Sequence, residues 1–241
     1  MGKRVFYFVY GLVSYLVFLA TFLYAVGFIG GFGVPTRLDA PAALPFGEAL
    51  LIDAGLLGLF AVQHSVMARK WFKDRWTRLV PQPLERATYV LLSSLALIVM
   101  FWQWQPMGIG IWTVTNPAGR AALYAGFAFG WGLVLVSTFL INHFDLFGLR
   151  QVWFTLSGKP YVALPFATPG LYRFVRHPLY VGWFFAFWMT PTMTAAHLLF
   201  AVATTLYILL AIQFEERDLV REFREYEDYR RRVPMIVPGL K

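Results

Sequence analysis

LYVGWFFAFWMTPTMTAAHLLFAVATTLYILLAIQ, residues 179–213, runs for 35 residues without a formal charge. As one helix it would extend about 52 Å at 1.5 Å per residue, whereas the hydrocarbon core of a bilayer is only about 30 Å thick. Near its middle stands MTPTMT, residues 189–194, where Pro191 can continue a helix only through a kink or a break. The run therefore reads as a helical hairpin and not as one long span.

The rest of the chain agrees with a membrane reading. Of its 241 residues 59% are apolar and only 14% are charged, against about 25% charged in a soluble domain. Four more apolar blocks precede the hairpin, at about 5–29, 49–68, 88–105 and 121–142, each close to the length a helix needs to cross. The first follows MGKR and extends to about Gly33, too long for the core of a signal peptide, so it is expected to be a retained span. No internal repeat is apparent. With no cysteine, disulfides, thiolate nucleophiles and zinc-thiolate sites are excluded. The net charge of +8 requires no nucleic acid, because Lys and Arg decorate the cytoplasmic ends of spans.

Those basic residues fix an orientation. They fall at 3 and 4, between 69 and 86, at 150, 159, 173 and 176, and from 217 onward, while only Arg37 and Arg120 occupy the other set of loops. Both termini are then expected in the cytoplasm, which requires an even number of crossings. The expected fold is an all-α polytopic membrane protein with four transmembrane helices and a C-terminal helical hairpin. A cytoplasmic amphipathic tail helix over 215–233 follows, with Leu219, Phe223, Tyr226 and Tyr229 at helical spacing. Residues 152–166, with Ser157-Gly158-Lys159-Pro160, suggest a short hairpin or a structured loop. The whole reads as one membrane-embedded domain, with N-terminal spans over 1–147 and a second half over 148–241.

On this topology the polar chemistry gathers at one membrane face. Gln63 and His64 lie near the end of span two, Asn142, His143 and Asp145 close span four, Arg173, Arg176 and His177 open the hairpin, and Glu215 and Glu216 close it. Each alone has an ordinary explanation: snorkelling for the arginines, a satisfied hydrogen bond for a histidine, solvated charge for the glutamates. His197, past the Pro191 turn, is assigned to packing, and so is the aromatic run WFFAFW (183–188). Together, arginine, histidine, paired carboxylates and tyrosines suit an amphipathic zwitterion. Arginine can bind a carboxylate bidentately, glutamate can accept from an ammonium or ribose hydroxyls, and aromatic rings hold a sulfonium by cation–π attraction. S-adenosylmethionine presents all of these groups, and NADPH or a lipid headgroup would engage the same basic and aromatic side chains.

Three stretches carry a resemblance. GLYRFVRHPLYVGW (170–183), EERDL (215–219) and the tyrosine–arginine tail ending YRRRVP (229–234) resemble the C-terminal signature of the isoprenylcysteine carboxyl methyltransferase superfamily, which includes NnrU-like proteins. LLGLFAVQHSVMAR (56–69), FLINHFDLFGLRQVW (139–153) and TPTMTAAHLLFAVATTLYI (190–208) are similar to the bacterial methanethiol S-methyltransferases within it. The resemblance implies an S-adenosylmethionine-dependent enzyme, with S-adenosylhomocysteine as product and the cofactor held by the second half of the chain. By motif, Arg176, His177, Pro178 and Tyr180 match RHPxY and Glu215 and Glu216 match a glutamate pair, with Tyr172, Tyr229 and Arg232 added from the looser tail pattern.

The implied acceptor is a small volatile thiol, methanethiol, which would become dimethyl sulfide. A thiolate is the nucleophile, so a base or a positive environment must assist. His64, or His143 aided by Asp145, is the candidate, with Asn142 as a substrate contact. On a continuous helix His143 and Asp145 would point apart, and a bound sulfonium would itself lower the thiol pKa. The implied setting is the bacterial inner membrane, multi-pass, with lipids as neighbours, no metal, no nucleic acid and no protein partner inferred. The alternatives are another membrane methyltransferase of the superfamily with a lipid or isoprenylcysteine acceptor, an NADPH-dependent membrane reductase, and a non-enzymatic protein binding haem or metal through two of His64, His143 and His177.

Overall fold

A computed structural model describes residues 1–240, and among these the regular structure is ten α-helices, one 3-10 turn and two short strands. In chain order they are α1 (Gly2–Gly30), α2 (Phe46–Ala68), α3 (Lys70–Trp76), α4 (Gln82–Gln103), β1 (Gly110–Thr113), α5 (Pro117–Ile141), α6 (His143–Leu146), α7 (Leu149–Leu156), the 3-10 turn Gly170–Arg173, α8 (Pro178–Trp188), β2 (Thr192–Thr194), α9 (Ala195–Glu222) and α10 (Glu225–Arg232). Helices α1, α2, α4, α5 and α9 are long and apolar enough to cross a membrane, so the chain is an all-α, multi-pass membrane protein. It forms two compact units, one made of Met1–Gly108 with His143–Ala163, the other of Ile109–Asn142 with the chain from Leu164 on.

In the first unit α4 packs against α1 and α2, and α7 against α1. Phe28 stands 4.7 Å from Phe101 and edge-on to Trp104, filling the far end of the α1–α4 seam. At the other end Tyr10 and Thr88 share a hydrogen bond of 3.0 Å. Of the hairpin or structured loop expected over 152–166, helix α7 corrects the hairpin: the chain is helical to Leu156, turns at 157–158 and runs on without regular structure. Leu149, Val152, Trp153 and Leu156 recur at helical spacing, and Val152 is fully buried where Gly11 of α1 leaves room for it. The basic segment 69–86 also holds a short helix, α3.

In the second unit the hairpin is present. Helix α8 stops at Trp188, the chain unwinds through 189–194, and α9 begins at Ala195. Its first arm has only 11 residues, about 16 Å, half a crossing. Unwound backbone at such a depth needs partners, and β1 supplies them: β1 and β2 pair antiparallel, with Trp112 opposite Met193. Val114 N donates to Pro191 O at 2.8 Å and Ala195 N to Ile109 O at 2.7 Å. His197, fully buried, reaches Phe187 O at 3.0 Å and closes the end of α8, which agrees with a packing role.

Helices α5 and α8 meet backbone to backbone. A Cβ on Gly130 would lie 2.6 Å from Ala186 N, and one on Gly182 would lie 2.8 Å from Gly130 O. Small residues spaced four apart on both helices, Gly126/Gly130 and Gly182/Ala186, are the usual means of such approach in membranes. Asn116 opens α5 by accepting from Ala118 N and Gly119 N, a regular N-cap. The tail differs from the single helix expected over 215–233. Helix α9 absorbs it as far as Glu222, Phe223 is extended, and α10 starts afresh at Glu225. Packing causes the break: Phe166 gathers Phe223, Tyr226 and Tyr229 around its ring at 5.6–5.7 Å.

Candidate functional site

The second unit concentrates ionic chemistry where α8 begins and α9 ends. Pro178 takes the first position of α8, which suits its fixed φ and missing N–H, and it delivers Arg176 and His177 beside the last turns of α9. Glu216 Oε1 accepts from Arg176 Nε at 2.7 Å and meets His177 Nε2 at 3.0 Å. The carboxylate beside a guanidinium can only accept, so Nε2 of His177 carries the hydrogen. All three are largely withdrawn from solvent, with side-chain exposures of 10%, 5% and 9% for Arg176, His177 and Glu216. Tyr180, one turn into α8, donates to Glu215 Oε2 at 2.8 Å.

Arg176 has a second duty. Its Nη1 donates to Arg230 O at 3.0 Å and Val233 O at 2.6 Å. Its backbone N–H and that of His177 donate to Pro234 O and Met235 O. One guanidinium thus ties the start of α8, the end of α9 and the tail together. Tyr229 adds a bond to Tyr172 O at 2.6 Å. Burial pushes the Tyr229 phenol up to about 12 and raises Tyr172 and Tyr226 as well, so all three remain neutral donors. The hydroxyls of Tyr172 and Tyr226 are buried with no hydrogen-bond partner among the described residues. Arg232 is exposed and donates back to Asp228 O. A cleft of about 470 Å³ opens beside Arg176, lined also by Arg230, Arg231, Val233 and Met235.

The first unit holds the candidate bases. His64 on α2 faces α4, where Ser93 Oγ lies 3.2 Å from Nδ1. The hydroxyl of Tyr89 is 3.0 Å from Nδ1 and 2.9 Å from Nε2. A group nearly equidistant from both nitrogens cannot lie in the ring plane, because Cε1 stands between them there, so this hydroxyl rests over the imidazole face. Phe60 stacks on the ring at 5.1 Å. His143 is buried and bonds Tyr15 through Nε2 at 2.9 Å, and burial lowers its pKa. Asp145 accepts from Arg150 at 2.9 Å and Tyr161 at 3.0 Å. Asn142 ends α5 in the left-handed region at φ 119°, so the helix does unwind there, yet His143 turns to Tyr15 and Asp145 to Arg150. Among the described residues no three metal-binding side chains cluster.

Tyr89, Ser93 and Tyr15 belong to these clusters and were not among the residues singled out from the sequence, where Tyr226 was placed only on the apolar face of the tail helix. Tyr89 and Ser93 are four apart in TYVLLSS (88–94), a spacing that puts both on one helix face, and that was their available signal.

No protein-family model matches the chain, and no solved structure matches it. Among curated proteins it is similar to the methanethiol S-methyltransferase of Crocosphaera subtropica, 61% identical over 98% of this chain and 93% of that protein. The methanethiol S-methyltransferase of Mycobacterium tuberculosis is 56% identical over 98% of this chain and 97% of its own length. More distantly, nurim of Xenopus laevis is 30% identical over 86% of this chain and 80% of that protein.

Proposed function

The chain belongs to the methanethiol S-methyltransferase family, and we propose on that premise that it methylates methanethiol to dimethyl sulfide with S-adenosylmethionine as donor. The observation that carries the proposal is 61% identity running through nearly the whole of both chains. The second unit supports the donor half of the reading, because its residues fit the group. Two buried phenol hydroxyls have no hydrogen-bond partner among the described residues, Glu215 bonds Tyr180 through one oxygen, and aromatic rings crowd the same place.

When bound, S-adenosylmethionine supplies an electrophilic methyl on a positively charged sulfur. Tyr172 and Tyr226 offer hydroxyls to its polar atoms, and Glu215 offers a carboxylate to its hydroxyl or ammonium groups. Arg176, occupied by Glu216 and two carbonyls, works by holding that arrangement in place. His177 and Pro178 fix where α8 starts, and Tyr180 orients Glu215. Tyr229 braces the 3-10 turn, while Arg232 lies on the outer side. His64 is the acceptor for the thiol proton, and His143, Asp145 and Asn142 shape their own helix junction. A small apolar thiol can partition through lipid, which suits an enzyme in the bacterial inner membrane. The proposed orientation, from the distribution of Lys and Arg, has both termini in the cytoplasm.

Calorimetry with S-adenosylhomocysteine and with NADPH, and headspace gas chromatography with methanethiol, test the proposal. Binding of S-adenosylhomocysteine and release of dimethyl sulfide are expected. Glu215→Ala should abolish binding, and His64→Ala should bind but not turn over. Binding of NADPH alone, or no dimethyl sulfide, would overturn it.

A further inference from the structure

Within the first unit the network around His64 contains an acceptor with nothing to accept. Gln63 Nε2 donates to Ser93 Oγ at 3.3 Å and to Met67 Sδ at 3.2 Å, while its Oε1 is buried with no hydrogen-bond partner among the described residues. A buried carbonyl without a donor is costly and uncommon. Here it sits on the residue next to the candidate base, and the same serine bonds both side chains. The amide already has a sulfur against its other end.

We propose that Gln63 is the thiol-recognising residue, its Oε1 accepting the S–H of methanethiol, and that Ser93 positions His64 to take the proton. The inference rests on the methyltransferase reading and adds the substrate contact to it. A thiol is a weak donor of small size, matched to a carbonyl that has no stronger donor among the described residues. Tyr89 lies over the ring face, so the in-plane direction at Nε2 is not taken by its hydroxyl. If Ser93 Oγ accepts from Nδ1–H, as it accepts from Gln63, the lone pair resides on Nε2. The single S–H rests on Oε1 in the bound thiol and turns about the C–S bond to Nε2 for reaction. As Nε2 takes the proton, the pair left on sulfur would form the new S–C bond while the methyl–sulfonium bond of the donor breaks and its pair stays on the sulfur of S-adenosylhomocysteine. The imidazolium returns the proton to water. Dimethyl sulfide has no S–H and leaves Oε1 unpaired again, so the site that attracts the thiol releases the thioether.

Gln63→Leu tests this. Its KM for methanethiol should rise roughly three- to tenfold, the factor that loss of one neutral hydrogen bond carries, with kcat changed much less. Ser93→Ala should do the reverse, lowering kcat and altering the 15N ring shifts of His64, a signature of tautomer that packing alone does not move. Calorimetry with S-adenosylhomocysteine checks that each variant is folded; if Gln63→Leu fails, Gln63→Met replaces it. Saturation-transfer NMR on 13C-methanethiol reads thiol binding without turnover. Transfer lost in Gln63→Leu supports the inference, and it would do so even if the wild type formed no dimethyl sulfide, a result that would overturn the proposed reaction and not this site. Equal transfer and an unchanged KM in Gln63→Leu would overturn the inference.

Discussion

Replacing Glu216 by leucine removes the carboxylate shared by Arg176 and His177. Arg176 would then keep its charge in a place where its side chain is only 10% exposed, held by the backbone carbonyls of Arg230 and Val233. Breaking one side of a buried ion pair costs about 3–5 kcal/mol, mostly through the charge left behind. In an Arg176→Met background that stranded cation is gone, and Glu216→Leu removes a carboxylate whose remaining partner is His177. Its cost there should fall to about 1–2 kcal/mol, the range of an ordinary polar deletion. The coupling between the two sites is therefore about 1–4 kcal/mol, reaching the upper end of what directly bonded residues show. Arg176→Met alone is also damaging, since it frees Arg230 O and Val233 O together with Glu216. Unfolding of the four proteins of this double-mutant cycle in detergent, followed by tryptophan fluorescence against denaturant, gives the coupling directly. Equal costs of Glu216→Leu in both backgrounds would refute the picture of a desolvated charge held by its partner.

Three further outcomes are expected. Gly182→Ala should destabilise by about 1–3 kcal/mol through overpacking, because its Cβ would lie 2.8 Å from Gly130 O and from Val134 N; the same unfolding assay reads it. His197→Leu strands Phe187 O and should cost about 1–3 kcal/mol, together with faster hydrogen exchange at Val114 and Ala195, whose amides bond the neighbouring turn. His143, held by burial below its ordinary value, makes stability pH-dependent: the unfolded ring binds a proton near pH 6.5 that the folded ring refuses, about as free histidine does. Stability should thus fall as pH drops below about 6.5, and the wild type should lose more between pH 7 and 5 than His143→Gln does, by calorimetric or chemical unfolding at each pH.

What could be read from the sequence depended on how local the cause was. Pro191 and the length of an uncharged run sufficed for the hairpin, because neither needs a partner to act. The shortness of α8 did not show, since the segment that pairs with Thr192–Thr194 lies far upstream at Gly110–Thr113. Ser157-Gly158-Lys159-Pro160 drew attention to a turn, and the helical spacing of Leu149, Val152 and Leu156 just before it went unread. The tail has the periodicity of one helix, yet Phe166 decides where it breaks. For the site, RHPxY and the glutamate pair stood out as residue types in company. That Arg176 and His177 turn to Glu216 while Glu215 turns to Tyr180 depends on side-chain directions that spacing does not carry. Tyr89 and Ser93 acquire meaning only from α2, whose His64 faces them.

The half-length first arm of the hairpin has a consequence for how the chain enters its membrane. About 16 Å of helix ending in Met189-Thr190-Pro191-Thr192 cannot be released alone into lipid, because the unwound carbonyls and amides at its tip would face hydrocarbon. Those groups are matched only when Ala195 has met Ile109 and Pro191 has met Val114. Helices α8 and α9 must therefore leave the insertion machinery as a pair, with α5 and its preceding strand already waiting. Assembly of this half of the chain is ordered in time by its own hydrogen bonds, and a ribosome stalled between Trp188 and Ala195 would leave α8 at the interface.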